Sequence, residues 1–298
     1  MPTFDELQSL FLEREFRAIG LATTTGQVLQ PATPITGGDQ GLWDWFNQIP
    51  DTSQIMAPTG SEFFSAYSDM INSLIPGRNP LDPVAVAKKN LAAWGSNPPG
   101  WSIGYDTMTG LLAAAPTVSF PVTTPAPPAS DFWGLWTESP AIDGIAGQFA
   151  AAALSMSLSF GHLLNFAPTP SSWYLSTAMA TAYNNPGKNP WNPSSPISWN
   201  STFGADGTMP RFVANLIVAD QIAVTYTSQA EFDSDDQATI QANADSGLWP
   251  YYLDSTTAST SVSFDGDGHM TVSITTPAGV PIALAGTVLS APAYLGLS

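Results

Sequence analysis

Few side chains in this chain could carry out catalysis or hold a metal. Its 298 residues include no cysteine and two histidines, His162 and His269, which excludes thiolate chemistry and a three-histidine site within one chain. A Ser-His-Asp triad would need one of these two histidines as its base. No Gly-x-Ser-x-Gly motif accompanies His162. Aspartate and glutamate therefore remain as the candidate catalytic groups.

The carboxylates leave one enzymatic alternative, a glycoside hydrolase with two acidic residues. Glu138 lies in an aromatic stretch that begins at Trp133, and Asp131 or Asp143 is a possible partner. In such an enzyme one carboxylic acid protonates the leaving oxygen while the other acts as base or nucleophile. Spacing alone does not single out the pair of Glu138 and Asp131.

An Asp-Gly-Asp-Gly-His sequence at residues 265–269 resembles the beginning of a calcium-binding loop. A complete loop needs further oxygen ligands and a bidentate acid at its twelfth position. Counted from Asp265, that position is Thr276, so the match fails. We therefore expect a polar turn here, and we predict neither a metal nor a cofactor for the chain.

The tripeptide Gly-Leu-Trp occurs three times, each time within an aromatic cluster. Tryptophan and tyrosine are typical of surfaces that stack on sugar rings or anchor a partner protein. The binding residues predicted on this basis are Trp43, Trp45, Trp133, Trp136, Trp249, Tyr251 and Tyr252. The alternative is that these rings fill a core, since large aromatic side chains are often mostly buried.

Charge and composition narrow the possible partners. Seven basic and 24 acidic residues give a formal net charge of -17, although charged residues make up only 10% of the chain. An acidic protein of this kind does not bind nucleic acid or an anionic membrane by charge. Its surface must be mostly uncharged and polar, which favours a homo-oligomer or a neutral ligand such as glycan.

Targeting signals are not evident. Residues 1–17 contain four acids and lack the apolar region of a Sec signal peptide, so we expect a cytoplasmic protein or export by another route. No stretch reaches the roughly 18 uncharged apolar residues of a membrane-spanning helix. We therefore predict no transmembrane segment.

The hydrophobic periodicity changes along the chain, from helical in the first hundred residues to alternating after about residue 115. Helices are predicted near the N-terminus, over 61–74, over 83–94 and over 233–244, with Ser234 capping the last. The aromatic segment at Trp43, Trp45 and Phe46 is predicted to be a loop. Strands are predicted at 118–122, 154–160, 212–218, 222–228 and 280–289. We therefore expect an α+β fold, with a helical N-terminal region (1–112) packed on an antiparallel, β-sandwich-like C-terminal region (113–298).

Residues 259–275 predict a β-hairpin with a defined register. A three-residue loop, Gly266-Asp267-Gly268, places Phe264 opposite Met270 and Val262 opposite Val272. All large apolar side chains then share one face, while serine and threonine share the other. A shift by one residue would destroy this separation.

The leading hypothesis is a non-enzymatic, β-rich protein that self-associates or binds a neutral polar surface such as glycan through aromatic loops. One alternative is a pore-forming or host-directed toxin, because a hairpin with one apolar and one Ser/Thr face can line a wet lumen. The glycoside hydrolase described above is the other alternative.

Overall fold

A computed structural model describes residues 4–95, 97–125, 145, 148, 152–244 and 247–297. The helices within these residues are α1 (Phe4–Ala18), α2 (Gly38–Asn47), α3 (Phe63–Ser73), α4 (Pro83–Trp94), α5 (Tyr105–Ala113), α6 (Ser176–Tyr183), α7 (Trp199–Phe203), α8 (Ser234–Asn243) and α9 (Ala291–Tyr294). The strands are β1 (Gly26–Pro34), β2 (Gln48–Pro50), β3 (Pro58–Glu62), β4 (Val118–Pro125), β5 (Ala153–Phe166), β6 (Arg211–Glu231), β7 (Ser259–Phe264), β8 (His269–Thr275) and β9 (Ile282–Ser290).

Local capping explains where α4 and α8 begin. The Asp82 side chain accepts hydrogen bonds from the backbone N–H groups of Val84 and Ala85, and Gly95 ends α4 with φ of 71°. The predicted bounds of α4 are confirmed. In α8 the cap is Asp233, which accepts from two backbone N–H groups, so the prediction of Ser234 as the cap was wrong by one residue.

Seven of the described strands form one sheet, with the order β1-β9-β6-β5-β4 and with β8 paired to both β6 and β7. The β4–β5, β6–β8 and β7–β8 pairs are antiparallel. Strands β2 and β3 form a separate two-stranded sheet. With its helices mainly N-terminal, the chain has the predicted α+β fold with a sheet-rich C-terminal region.

Several elements of the N-terminal region differ from the predictions, among them β2, β3 and α5, which the sequence did not indicate. The segment predicted as an aromatic loop is the helix α2, and β1, which the periodicity did not indicate, joins the large sheet beside β9. The two strands predicted at 212–218 and 222–228 are one strand, β6. None of the described helices is both long and apolar enough to cross a membrane.

The chain divides into two compact units, each built from three separate segments. Unit 1 comprises Met1–Ile35, Thr109–Asn165 and Ile217–Ala285, and unit 2 comprises Thr36–Met108, Phe166–Leu216 and Gly286–Ser298. Neither unit coincides with the predicted regions 1–112 and 113–298. The sequence order of elements therefore does not reveal this division.

The core of unit 1 lies where α1 and the segment 247–253 meet the sheet strands. Phe11 of α1 makes edge-to-face contacts with Trp249 at 5.0 Å and with Tyr251 at 6.0 Å between ring centroids. Phe160 of β5 lies 6.3 Å from Tyr251, and these residues belong to one buried apolar cluster. Aromatic burial therefore anchors α1 within unit 1.

Unit 2 has an aromatic core of its own. Phe63 of α3 packs edge-to-face on Trp173 and Phe212, at 5.4 and 4.9 Å, and Phe212 stacks on Tyr294 at 4.6 Å. The Trp173 side chain is fully buried, and its indole N–H donates to the Gly100 carbonyl at 2.9 Å. The polar edge of this large ring is thus satisfied inside the core.

Candidate interaction surface

The β7–β8 hairpin has the predicted register. Phe264 faces Met270, Val262 faces Val272 and Thr260 faces Ile274. Two backbone hydrogen bonds close the turn, both at 3.1 Å: the Asp265 N–H donates to the His269 carbonyl, and the Gly268 N–H donates to the Asp265 carbonyl. Gly268 has φ of 85°, as this turn requires, and a Cβ there would lie 2.8 Å from the Phe232 carbonyl oxygen.

This register determines which backbone groups of β7 point away from β8. The N–H of Asp265 donates to the His269 carbonyl, and hydrogen-bonded pairs alternate along an antiparallel ladder. Ser263, Ser261 and Ser259 therefore bond to β8. The N–H and C=O groups of the three residues between them, Thr260, Val262 and Phe264, point outward, and no described residue bonds to them.

Strand β7 also lacks the residue types that usually protect a sheet edge. It contains neither proline nor a charged residue, and its serine side chains are exposed. Val262 and Phe264 pack on the core of unit 1, and α8 lies close to the strand. Edge strands that lack charge, proline and bulges are templates for pairing with another strand.

The other edge strands among the described residues are different. Strands β1 and β4 end the order of the large sheet, and each contains two prolines. In the small sheet β2 contains Pro50 and β3 contains Pro58. Proline cannot donate to a ladder, so it weakens pairing at an edge. Among the described edges, β7 is therefore the one without proline.

Three of the predicted binding residues are in the core of unit 1. Trp249, Tyr251 and Tyr252 are 0%, 4% and 6% exposed. The Tyr226 hydroxyl donates to the Trp249 carbonyl, which fixes this segment against β6. The ring faces of these three residues are therefore not available at the surface, where a stacking platform needs them.

Two other predicted binding residues, Trp43 and Trp45, are half-buried on α2. Trp43 lies 6.5 Å from Trp101 between ring centroids, and its indole N–H is buried with no hydrogen-bond partner among the described residues. The remaining predicted site residues lie outside the described residues: Trp133, Trp136, Asp131, Glu138 and Asp143. The structure therefore describes two of the three predicted clusters, one in each unit.

His162 forms a pair with Asp220 that the sequence did not reveal. Its Nδ1 lies 2.9 Å from Asp220 Oδ1, and Gly279 N–H donates to Asp220 Oδ2 at 2.9 Å. The neighbouring Gln221 has φ of 49°, and its side chain covers Gly161. The Asp220 side chain is 5% exposed and orients the imidazole. This arrangement could assist a general base, and it also ties the 276–281 loop to β6.

The acidic turn of the hairpin is held together by its own hydrogen bonds. Asp265 Oδ1 accepts from the backbone N–H groups of Asp267 and His269, both at 2.9 Å, and Oδ2 lies 3.0 Å from His269 Nδ1. These bonds lower the pKa of Asp265. The possible metal-ligating atoms of Asp265, Asp267 and His269 lie within 4.8 Å of one another. Calcium takes six to eight oxygens, so three side chains do not complete such a site.

Glu15 is a buried acid that sequence analysis missed. It is 1% exposed on α1, its Oε1 accepts from the Tyr251 hydroxyl at 2.7 Å, and its Oε2 has no hydrogen-bond partner among the described residues. Burial raises its pKa from 4.5 to about 7, and the bond from Tyr251 partly offsets this. At mildly acidic pH the unit 1 core therefore contains a protonated carboxyl group.

No protein-family model, no curated protein and no solved structure matches the chain.

Proposed function

We propose that this chain is a non-enzymatic protein that self-associates, and that β7 is the surface through which it does so. The observation that carries the proposal is the contrast among described sheet edges: β1, β2, β3 and β4 contain proline, whereas β7 contains neither proline nor charge. An edge of this kind favours pairing with a further strand.

The charge distribution supports pairing at this strand. Each chain carries a formal net charge of -17, so two chains repel each other overall. The six residues of β7 are uncharged, and Ser259, Ser261 and Ser263 expose only hydroxyl groups. Contact at β7 therefore brings together residues that add no charge repulsion of their own.

Sedimentation velocity over a wide range of protein concentration tests the proposal. The wild-type chain is expected to sediment as an oligomer at ionic strengths that screen the net charge. The outward N–H of Thr260 makes no bond to β8, so Thr260→Pro removes a donor from the free edge without breaking the hairpin ladder. We expect this variant to associate at least about tenfold more weakly.

Thr260→Ala is the matched control, because it shortens the same side chain but keeps the backbone N–H. It is expected to associate like the wild type. A wild-type chain that sediments as a single chain at every concentration and ionic strength would show that the proposal is wrong.

A second candidate function is binding of a neutral polar ligand such as glycan at α2. The half-exposed Trp43 favours it, because the exposed hydrogen-bonding side chains of Asp39 and Gln40 lie four and three positions before it on the same helical face. Titration with oligosaccharides, followed by tryptophan fluorescence and compared with Trp43→Ala, tests this candidate. A signal that the variant retains in full would contradict it.

The toxin and glycoside-hydrolase alternatives stay predictions. The carboxylates named for the second, Asp131 and Glu138, lie outside the described residues.

A further inference from the structure

We propose that two copies of this chain pair β7 with β7 in antiparallel orientation, about a two-fold axis that passes through Val262. This inference rests on the proposed function and specifies its geometry. The partner is thus a second copy of the same chain, and the contact joins the seven-stranded sheets of the two copies.

The outward backbone groups define this axis. Thr260, Val262 and Phe264 each present one N–H and one C=O to the free edge. In an antiparallel pair centred on Val262, this residue faces its own copy, and Thr260 faces Phe264 of the second copy. Every outward group of β7 then has a partner, which gives about six hydrogen bonds across the interface.

Other registers satisfy fewer groups. Shifting the axis to Ser261 or Ser263 leaves one outward residue of each copy without an opposite residue, and about four hydrogen bonds remain. A shift by a single position places outward groups opposite serines whose backbone groups already bond to β8. Because unpaired backbone groups are costly when covered, the register centred on Val262 is preferred.

Charge at the turn favours the antiparallel orientation over the parallel one. Asp265 follows β7 directly and is exposed. In a parallel pair it would lie beside Asp265 of the second copy, and like charges side by side oppose strand pairing. In the antiparallel pair Asp265 faces Ser259 of the second copy. The two acidic turns then lie at opposite ends of the contact.

Side chains at the interface are compatible with this arrangement. Ser261 of one copy faces Ser263 of the other, in a pair whose backbone groups do not bond to each other. Such pairs have the shorter Cα separation, about 4.5 Å, which lies within the range that a disulfide bridges. Both serines are exposed in the single chain, so replacing either one leaves the core intact.

Cysteine cross-linking tests the register directly, because the chain contains no cysteine of its own. Two variants are prepared, Ser261→Cys and Ser263→Cys, one of them with an affinity tag, and their oligomeric state is first checked under reducing conditions. Each is then oxidised alone and in an equimolar mixture. We expect a disulfide-linked pair in the mixture that contains one copy of each variant, with several-fold less cross-linking of either variant alone.

The outcomes separate this inference from the proposed function. Variants that sediment as single chains under reducing conditions, like the wild type, overturn both. Oligomers that give no cross-link in the mixture overturn the β7 pairing and leave self-association through another surface. Efficient cross-linking of Ser261→Cys alone, or of Ser263→Cys alone, shows an axis displaced to that residue and overturns the register.

Discussion

Replacing Glu15 with glutamine should remove most of the pH dependence of stability in unit 1. The Glu15 carboxyl group is buried beneath Tyr251, and one of its two oxygens has no hydrogen-bond partner among the described residues. Its pKa in the folded protein is raised from 4.5 to about 7, mainly because burial disfavours the ionised form. Glutamine fills the same volume and stays neutral at every pH.

The sign and size of the effect follow from proton binding. Between pH 4.5 and 7 the folded state retains a proton that the unfolded state has released, so the free energy of unfolding falls as pH rises through this window. The shift of about 2.5 pKa units corresponds to about 3 kcal/mol. Below pH 4.5 both states bind the proton, and the full contribution of Glu15 to the free energy of unfolding is present. Above pH 7 both states have released it, and that contribution is lost completely.

Glutamine changes this balance in two ways. It keeps a carbonyl oxygen for the Tyr251 hydroxyl, but its amide N–H groups lie where no acceptor is described, which costs about 1 kcal/mol at all pH values. The pH-dependent cost of ionisation is absent. The free energy of unfolding of Glu15→Gln, measured relative to that of the wild type at the same pH, should therefore increase by about 3 kcal/mol as pH rises from 4.5 to 8.

Urea denaturation followed by circular dichroism, repeated across this pH range, measures the gain. Glu13→Gln is the matched control, because Glu13 lies on the exposed face of the same helix and pairs with Arg17 at 2.7 Å. Its effect should stay within about 0.5 kcal/mol at every pH. If wild type and Glu15→Gln lose stability in parallel as pH rises, the buried carboxyl group is not the cause and the reasoning fails.

Three further predictions concern unit 1 and the net charge. Gly161→Ala should destabilise the fold by about 1–3 kcal/mol in urea denaturation, because the new Cβ would lie 2.6 Å from the Cβ of Gln221. Adding Gln221→Gly should reduce this loss. If the effects of the two substitutions are additive, the two side chains are not in contact and the prediction is wrong. Asp220→Ala should cost about 1–3 kcal/mol, because it removes the carboxylate that accepts from the Gly279 N–H and pairs with His162 Nδ1. An unchanged urea midpoint would refute this. Association between chains should strengthen as salt screens the net charge of -17. Sedimentation velocity at two ionic strengths measures this, and weaker association at the higher ionic strength would contradict the prediction.

The β7–β8 hairpin could be predicted in register because its determinants are local. Alternating apolar and Ser/Thr residues fix which face is buried, and Gly268 fixes the turn. The two ends of α4 could be predicted equally well, because Pro83 favours the first turn of a helix and Gly95 favours its end through their own backbone preferences. In both cases a few adjacent residues contain the whole signal.

Helix α2 shows why a local pattern can mislead. Its glycines and clustered aromatics are typical of a loop, yet Leu42 and Phe46, four residues apart, are buried on one helical face. A similar limit applies to β6, which continues through Gln221 at positive φ although the sequence indicates two strands. Tertiary burial determined both elements.

The buried polar contacts depend on residues that are distant in sequence. Tyr251 lies 236 positions from Glu15, and Asp220 lies 58 positions from His162. No spacing rule connects such positions, so single-sequence reasoning could neither place Trp249 in the core nor identify Glu15 as a buried acid. The exposure of an aromatic cluster is likewise a property of the folded chain.

The prolines on β1 and β4 limit how large an assembly can become. A two-fold contact uses the same surface on both chains, so pairing at β7 leaves neither chain with a free copy of that surface. Growth into a fibre would need a second sheet edge that accepts strands, and the outer strands of the large sheet's described order each contain two prolines. The proposed pairing through β7 should therefore be closed: it is expected to saturate at two chains, so that higher protein concentration fills dimers without lengthening them.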